Sequence, residues 1–165
     1  MGEGWGEGRT MRTPTDTDNA RLLEAQDRLA KFIEEAHKAS HWLLETIDPA
    51  QTELWMTNLE LALPAIGELF EREEIPAEEQ REWWLPLSAV LGDYVQQRFG
   101  GTWMVDDVPT SHSFGRPIIE LHTTGREIHR FDVMARAVDF LATPAPRNLM
   151  ESVVSPIRDA LSKHH

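Results

Sequence analysis

At Gly100-Gly101 the apolar pattern of the chain changes period, and that change restricts the fold more than any other feature of the sequence. Before it, Leu87, Val90, Leu91, Tyr94, Val95 and Phe99 recur every three or four residues, the spacing of a helix that buries one face. After it, TWMVDD alternates and is rich in β-formers, the period-two pattern of a strand. The two glycines are expected to end the helix, because only glycine takes the left-handed conformation after a helix at low cost. Gly92 stands inside the helical stripe, where glycine costs about 1 kcal/mol against alanine; it is expected to admit the close approach of another backbone. Trp103 is expected to anchor sheet to helix.

Upstream of the switch the pattern is helical throughout. Leu22, Leu29, Ala36 and Leu43 recur every seven residues with Ala25, Phe32, Ile33 and Ala39 between them, which predicts an amphipathic helix running to about Ile47. Residues Asp16 to Asn19 offer its N-caps. Asp48-Pro49-Ala50-Gln51 reads as the start of a second helix with Asp48 as cap, burying Trp55, Leu59, Ala62, Ile66 and Leu69/Phe70. Pro64 is expected to kink or split it, Pro76 to begin a new helix, and Pro86 to interrupt again.

Downstream, PIIELH (117–122) and EIHRF (127–131) are expected to pair antiparallel through TTGR, with Gly125 at its positive-φ position. Helical period returns from Asp132 and breaks at Thr143-Pro144-Ala145-Pro146. A last helix follows through Leu149, Val153, Val154, Ile157 and Leu161, disturbed by Pro156. The fold class is therefore α+β: an N-terminal helical half, a small three-stranded antiparallel sheet, and one or two C-terminal helices. Residues 1–16 are expected to be a disordered leader and residues 17–165 a single domain. The alternate glycines of MGEGWGEG lack the strand and helix that a phosphate loop requires.

The order Leu91-Gly92-x-Tyr94, Gly100-Gly101-x-Trp103, then strand, hairpin and helix, resembles small bacterial domains of unknown function, some of them immunity-like proteins of toxin systems. The likeness covers about residues 87–142. It implies an α+β fold and a bacterial source, and brings no catalytic residues with it.

Charge and composition narrow the function classes. With 28 acidic against 16 basic residues the formal net charge is −12, which repels phosphate backbones and anionic lipid, so neither nucleic acid nor membrane is expected as a partner. There is no cysteine, hence no disulfide framework, thiolate metal site or cysteine nucleophile. No apolar run approaches the roughly 20 residues that span a bilayer. A cytoplasmic protein without cofactor is expected.

Three constellations are candidates for chemistry or recognition. Glu78, Glu79 and Glu82 stand beside the consecutive Trp83 and Trp84, which cannot both point inward from one helix face; an exposed ring among carboxylates suits a basic protein partner. His37 and His41 stand one helical turn apart with Glu34 a turn earlier, the spacing of a helical metal pair, although Lys38 occupies the place where a metalloprotease carries its glutamate. His122 and His129 are candidates for a cross-strand pair, with Asp132 or Glu127 as acid–base partner. Asp106-Asp107 ends a strand as turn-forming aspartates do, and Ser111 and Ser113 lie in a loop without a nucleophile motif. The leading expectation is a non-catalytic bacterial binding protein using the acidic, Trp-bearing surface, of the type of an immunity inhibitor of a basic protein. The alternative is a metal-binding protein or metal-dependent enzyme built on His37 and His41. A third is a homo-oligomer joined through the kinked second helix.

Overall fold

Asp16–Ile47 forms one helix, α1, in the computed structural model, which describes residues 13–123 and 125–162. Most of the expected leader lies outside the described residues. Thr15 and Asp16 already belong to the start of α1. The N-cap is Thr15 and not one of Asp16 to Asn19: its hydroxyl accepts from the Asp18 amide, and the Asp18 carboxylate accepts from the Thr15 amide, each at 3.0 Å. This reciprocal box satisfies two amides that the first turn leaves open.

Asp48 ends α1 instead of starting the next helix. Its amide bonds to Leu44 O at 2.9 Å and its Oδ1 accepts from the Ala50 amide at 3.0 Å, closing a turn. Three short pieces follow: α2 (Thr52–Thr57), a 3-10 turn (Leu59–Ala62) and α3 (Leu63–Glu71). Pro64 splits the segment as expected, sitting in the first turn of α3 where no intrahelical bond is lost. Of the expected buried face, Leu59, Ala62, Ile66 and Phe70 are buried, Trp55 is half-buried and Leu69 is exposed.

Ala77–Phe99 is one continuous helix, α4, with Pro86 inside it. The expected interruption at Pro86 does not occur. Proline there forfeits a hydrogen bond to the carbonyl of Glu82, an exposed residue whose backbone can turn to water, at about 3 kcal/mol. Against that, Leu87, Val90, Leu91 and Val95 are fully buried, worth about 1.5–3 kcal/mol each, so packing holds the helix straight through the proline. Gly100, at φ +81°, ends α4 with its amide bonded to Gln96 O.

The sheet runs β1 (Thr102–Val105), β2 (Pro117–His122), β3 (Ile128–Phe131) in that order, antiparallel throughout. Trp103, Ile119 and Phe131 stand opposite one another in one buried row. In the β2–β3 turn the left-handed residue is Arg126, at φ +65°, and not Gly125. The bonds Arg126 N to Thr123 O and Thr123 N to Glu127 O, both 3.0 Å, place the reversal one residue later than the glycine. Gly92 meets a side chain and not the expected backbone. A Cβ built there would stand 2.2 Å from Cζ2 of Trp103, so the indole fills the space that glycine leaves.

α5 (Val133–Ala142) is capped by Asp132, whose Oδ1 accepts from the Ala135 amide at 3.0 Å. A π-helical turn (Met150–Val154) leads into α6 (Ser155–Ser162), and Pro156 falls in the first turn of α6, where it is tolerated. One hydrophobic core draws on α1, α3, α4, the sheet, α5 and α6.

Arg147 returns the C-terminal segment to the helical half. It is only 6% exposed. Its Nε donates to Phe70 O at 2.8 Å, Nη1 to Thr143 O at 2.8 Å and Leu141 O at 3.3 Å, and Nη2 to Glu73 O at 3.2 Å. The guanidinium thus caps the C-terminal carbonyls of α3 and α5 together, and lies 5.2 Å from the centre of the Phe140 ring. Burial holds its pKa below the ordinary arginine value, with only the charge of Glu74 acting the other way.

Two stability measurements follow from this packing. Gly92→Ala is expected to lose about 1–3 kcal/mol in urea unfolding, as overpacked cores do, and to lose clearly less in the W103F background, where the indole's outer ring is gone. Arg147→Leu strands carbonyls in the interior and is expected to cost about 3 kcal/mol or more by the same measurement.

Candidate functional site

Glu78, Glu79 and Glu82 are exposed on the first turns of α4, and beside them Trp83 and Trp84 are both half-buried. Trp83 lies between Trp42 of α1, at 5.5 Å between ring centres, and Phe70 of α3, also at 5.5 Å and edge-on. Trp84 packs against the core with the Arg81 guanidinium 5.6 Å from its ring centre; its indole nitrogen is buried without a hydrogen-bond partner. Neither ring of the pair is the exposed anchor. The exposed indole of this corner is Trp42, 48% exposed and resting on Trp83. Consecutive residues do point about 100° apart on a helix. Here α4 is enclosed by α1 on one side and α5 on another, so both directions lead into protein.

Exposed glutamates stand near Trp42 and Trp83 in sequence. Glu45 lies three residues further along α1, and Glu79 lies one turn before Trp83 on α4; both are exposed. Such an indole offers a large apolar contact within a negative field, the arrangement that receives a cationic side chain or a basic surface.

The metal candidates are engaged separately. Glu34 holds Lys38 Nζ at 3.2 Å. His41 lies between Glu45, 3.2 Å from Nδ1, and Glu53, 3.5 Å from Nε2, while His37 is close enough to Asp93 to favour its charged form. Among the described residues no group of three or more His, Cys, Asp or Glu side chains is placed to hold a metal ion. His122 and His129 do not form the expected cross-strand pair. His122 stands opposite Ile128 and His129 opposite Leu121, so the two imidazoles point to opposite faces of the sheet. His122 Nε2 lies 2.8 Å from Glu120 Oε1, and His129 Nε2 lies 3.6 Å from Glu127 Oε2.

Two carboxylates, Asp93 and Asp106, organise the interior polar groups. Asp93 of α4 accepts a 2.8 Å hydrogen bond from the fully buried Ser40 hydroxyl of α1. Burial pushes its carboxyl upward against the opposing effects of Ser40, His37 and the Trp103 N–H, and burial prevails. That indole N–H completes no hydrogen bond of ordinary geometry. Asp106 behaves in the opposite way. Burial raises its pKa, but hydrogen bonds from Ser111, Ser113 and the Val108 amide, with the charge of Arg130, outweigh it and hold the carboxyl below its ordinary range. Ser111 Oγ is 2.6 Å from Asp106 Oδ2, Ser113 Oγ donates to the same oxygen, and the Val108 amide donates to Oδ1 at 3.0 Å. The Ser111–Ser113 loop therefore has a definite setting: it is tied to the end of β1. Arg130 completes the group, with Glu120 at 2.9 Å, Asp107 at 3.2 Å and Asp106 at 3.7 Å. Asp-x-Val is the one local signal here, since an aspartate accepting from the amide two residues on is a turn former. The serines donate to a carboxylate that is already well supplied, an arrangement that fixes a loop and leaves no activated nucleophile.

The opposite shifts have opposite consequences for pH. Asp106, held low, contributes stability that is present above the unfolded carboxyl pKa and is lost as pH falls through its folded value. Asp93, held high, favours the protonated fold, so its contribution weakens as pH rises from the unfolded value through the raised one. Thermal melts across the acid range are expected to show Asp106→Asn less stable than the parent at neutral pH, with the gap closing in acid. Asp93→Asn, which still accepts from Ser40, is expected to hold or gain stability at neutral pH.

No family model matches the chain, no curated protein matches it, and no solved structure matches it.

Proposed function

We propose that the chain is a non-catalytic binding protein that presents the Trp42 corner of an acidic surface to a basic protein partner, in the manner of an immunity-type inhibitor in the bacterial cytoplasm. The observation that carries this reading is the 48% exposure of Trp42, resting on Trp83 in a chain of net charge −12. A buried aromatic flanked by rim charges is how an interface concentrates its affinity, while the field raises the rate of encounter. The sequence block Leu-Gly-x-Tyr, Gly-Gly-x-Trp adds no functional residue to this reading, because Gly92 and Trp103 are accounted for by their packing on each other. His37, His41 and Glu34, engaged with different partners, give the metal reading no comparable support.

The test is capture of a basic protein from a lysate of the source cells by the purified chain, followed by affinity measurement on the captured partner. Binding is expected to weaken steeply between about 0.05 and 0.5 M salt, as screening shortens the reach of the field. Trp42→Ala, at a half-exposed position that leaves the core intact, is expected to cost about 2 kcal/mol or more of binding, roughly thirtyfold. Binding indifferent to both salt and Trp42→Ala would sink the proposal.

A further inference from the structure

The two edges of the sheet are covered differently. β1 lies against α1, and α4 and α5 pack on β2, whereas the close neighbour of β3 is β2. Ile128, the first residue of β3, is 54% exposed.

The ladder determines which backbone groups the open edge presents. In an antiparallel pair, positions that exchange hydrogen bonds alternate with positions whose N–H and C=O point away. The Thr123 amide donates to Glu127 O at 3.0 Å, and by alternation the bonded positions continue at Leu121–His129 and Ile119–Phe131. The other side of β2 agrees. There the Asp106 amide donates to Arg116 O at 3.0 Å, so even-numbered residues of β2 bond β1 and odd-numbered ones bond β3. Ile128 and Arg130 therefore turn their amides and carbonyls outward, where these meet no hydrogen-bond partner among the described residues. The Arg130 side chain does not guard the edge. Its guanidinium turns back over the sheet to Glu120 at 2.9 Å and Asp107 at 3.2 Å.

We propose that the outer edge of β3 pairs with β3 of a second copy of this chain, antiparallel across a two-fold axis, so that the two sheets become one. The edge residues select both this occupant and its register. Outward-bonding residues must face one another, which leaves three alignments of Ile128 and Arg130. Ile128 opposite Ile128 sets Arg130 against Arg126 of the copy, and Arg130 opposite Arg130 sets like charges side by side; both are unfavourable. Ile128 opposite Arg130 of the copy avoids both clashes. It makes two bonded pairs related by the axis, which passes between the two His129 residues. It also lays the alkyl stem of each Arg130 along the exposed Ile128 opposite, and brings Arg126 toward Asp132 of the copy. Two chains of net charge −12 repel at a distance, but at about 0.15 M salt that field is screened within about 8 Å. A contact of one short strand belongs to the weak, transient class, with a Kd expected at about 0.1 mM. The inference does not rest on the Trp42 reading.

Sedimentation equilibrium of the purified full chain alone, between about 0.02 and 1 mM, is expected to show monomer and dimer in exchange. Amide exchange followed by ¹⁵N NMR over that range locates the contact. The Ile128 and Arg130 amides are expected to exchange at least about threefold more slowly at the higher concentration. Ile128→Pro removes an outward donor at an edge position that tolerates proline, and is expected to weaken the dimer about tenfold or more. Arg126→Glu sets an acid toward Asp132 of the copy and is expected to weaken it about threefold. Both positions are exposed, and an unchanged circular dichroism spectrum shows that the fold is retained. A monomer throughout the range overturns the proposal. So does a dimer in which exchange at Ile128 and Arg130 is unaltered, or one equally tight in both variants.

Discussion

The indole of Trp103 occupies the space that a side chain at position 92 would need, and this exchange of a glycine for a neighbouring ring positions the sheet. With Gly92 on α4 and Trp103 on β1, the strand lies against the helix at a separation that no larger residue permits. The same ring meets Phe32 of α1 edge-on at 5.2 Å between centres, so three elements converge on it. Trp103, Ile119 and Phe131 then carry the contact across all three strands. Asp93 lies beside this junction, and its burial is tolerated because the Ser40 hydroxyl reaches it from α1.

Arg147 performs the corresponding task for the C-terminal half. A buried guanidinium is ordinarily matched by a carboxylate, but here its donors go to the carbonyls that two helices leave open at their ends. The partial negative charges at the C-termini of α3 and α5 add at the same point, so a cation is favoured there without a full counter-charge. Phe140 covers its face, and a ring path continues through Phe70 and Trp83 to Trp42 at the surface. The exposed indole of Trp42 is therefore backed by a column of aromatic groups that reaches the interior.

Charge is distributed unevenly over the molecule. The first turns of α4 carry exposed glutamates, while on α1 Arg28 and Lys31 alternate with Glu24 and Glu35 in i,i+4 pairs beside the half-covered Leu29 and Phe32. No helix among the described residues is long and apolar enough to cross a membrane, and α1, the longest at 32 residues, carries charge along most of its exposed face. The net charge alone describes a solubilising surface.

Local chemistry was legible wherever neighbours in sequence decide the outcome. The period of Leu22, Leu29, Ala36 and Leu43 marks α1, the change at Gly100-Gly101 marks the passage from helix to sheet, and Pro64 divides the second helical segment, because backbone hydrogen bonding and side-chain spacing are properties of a few consecutive residues. What tertiary structure alone decided was enclosure and register. α4 passes through Pro86 because burial on several sides outweighs one lost bond, and for the same reason Trp83 and Trp84 both turn inward while Trp42 stays out. A β2–β3 register that sets His129 opposite Leu121 separates two histidines expected to pair, and Asp93 and Arg147 gain their roles from partners brought by distant segments. Periodicity tells a segment which side to bury; what lies on that side depends on how every other segment has packed.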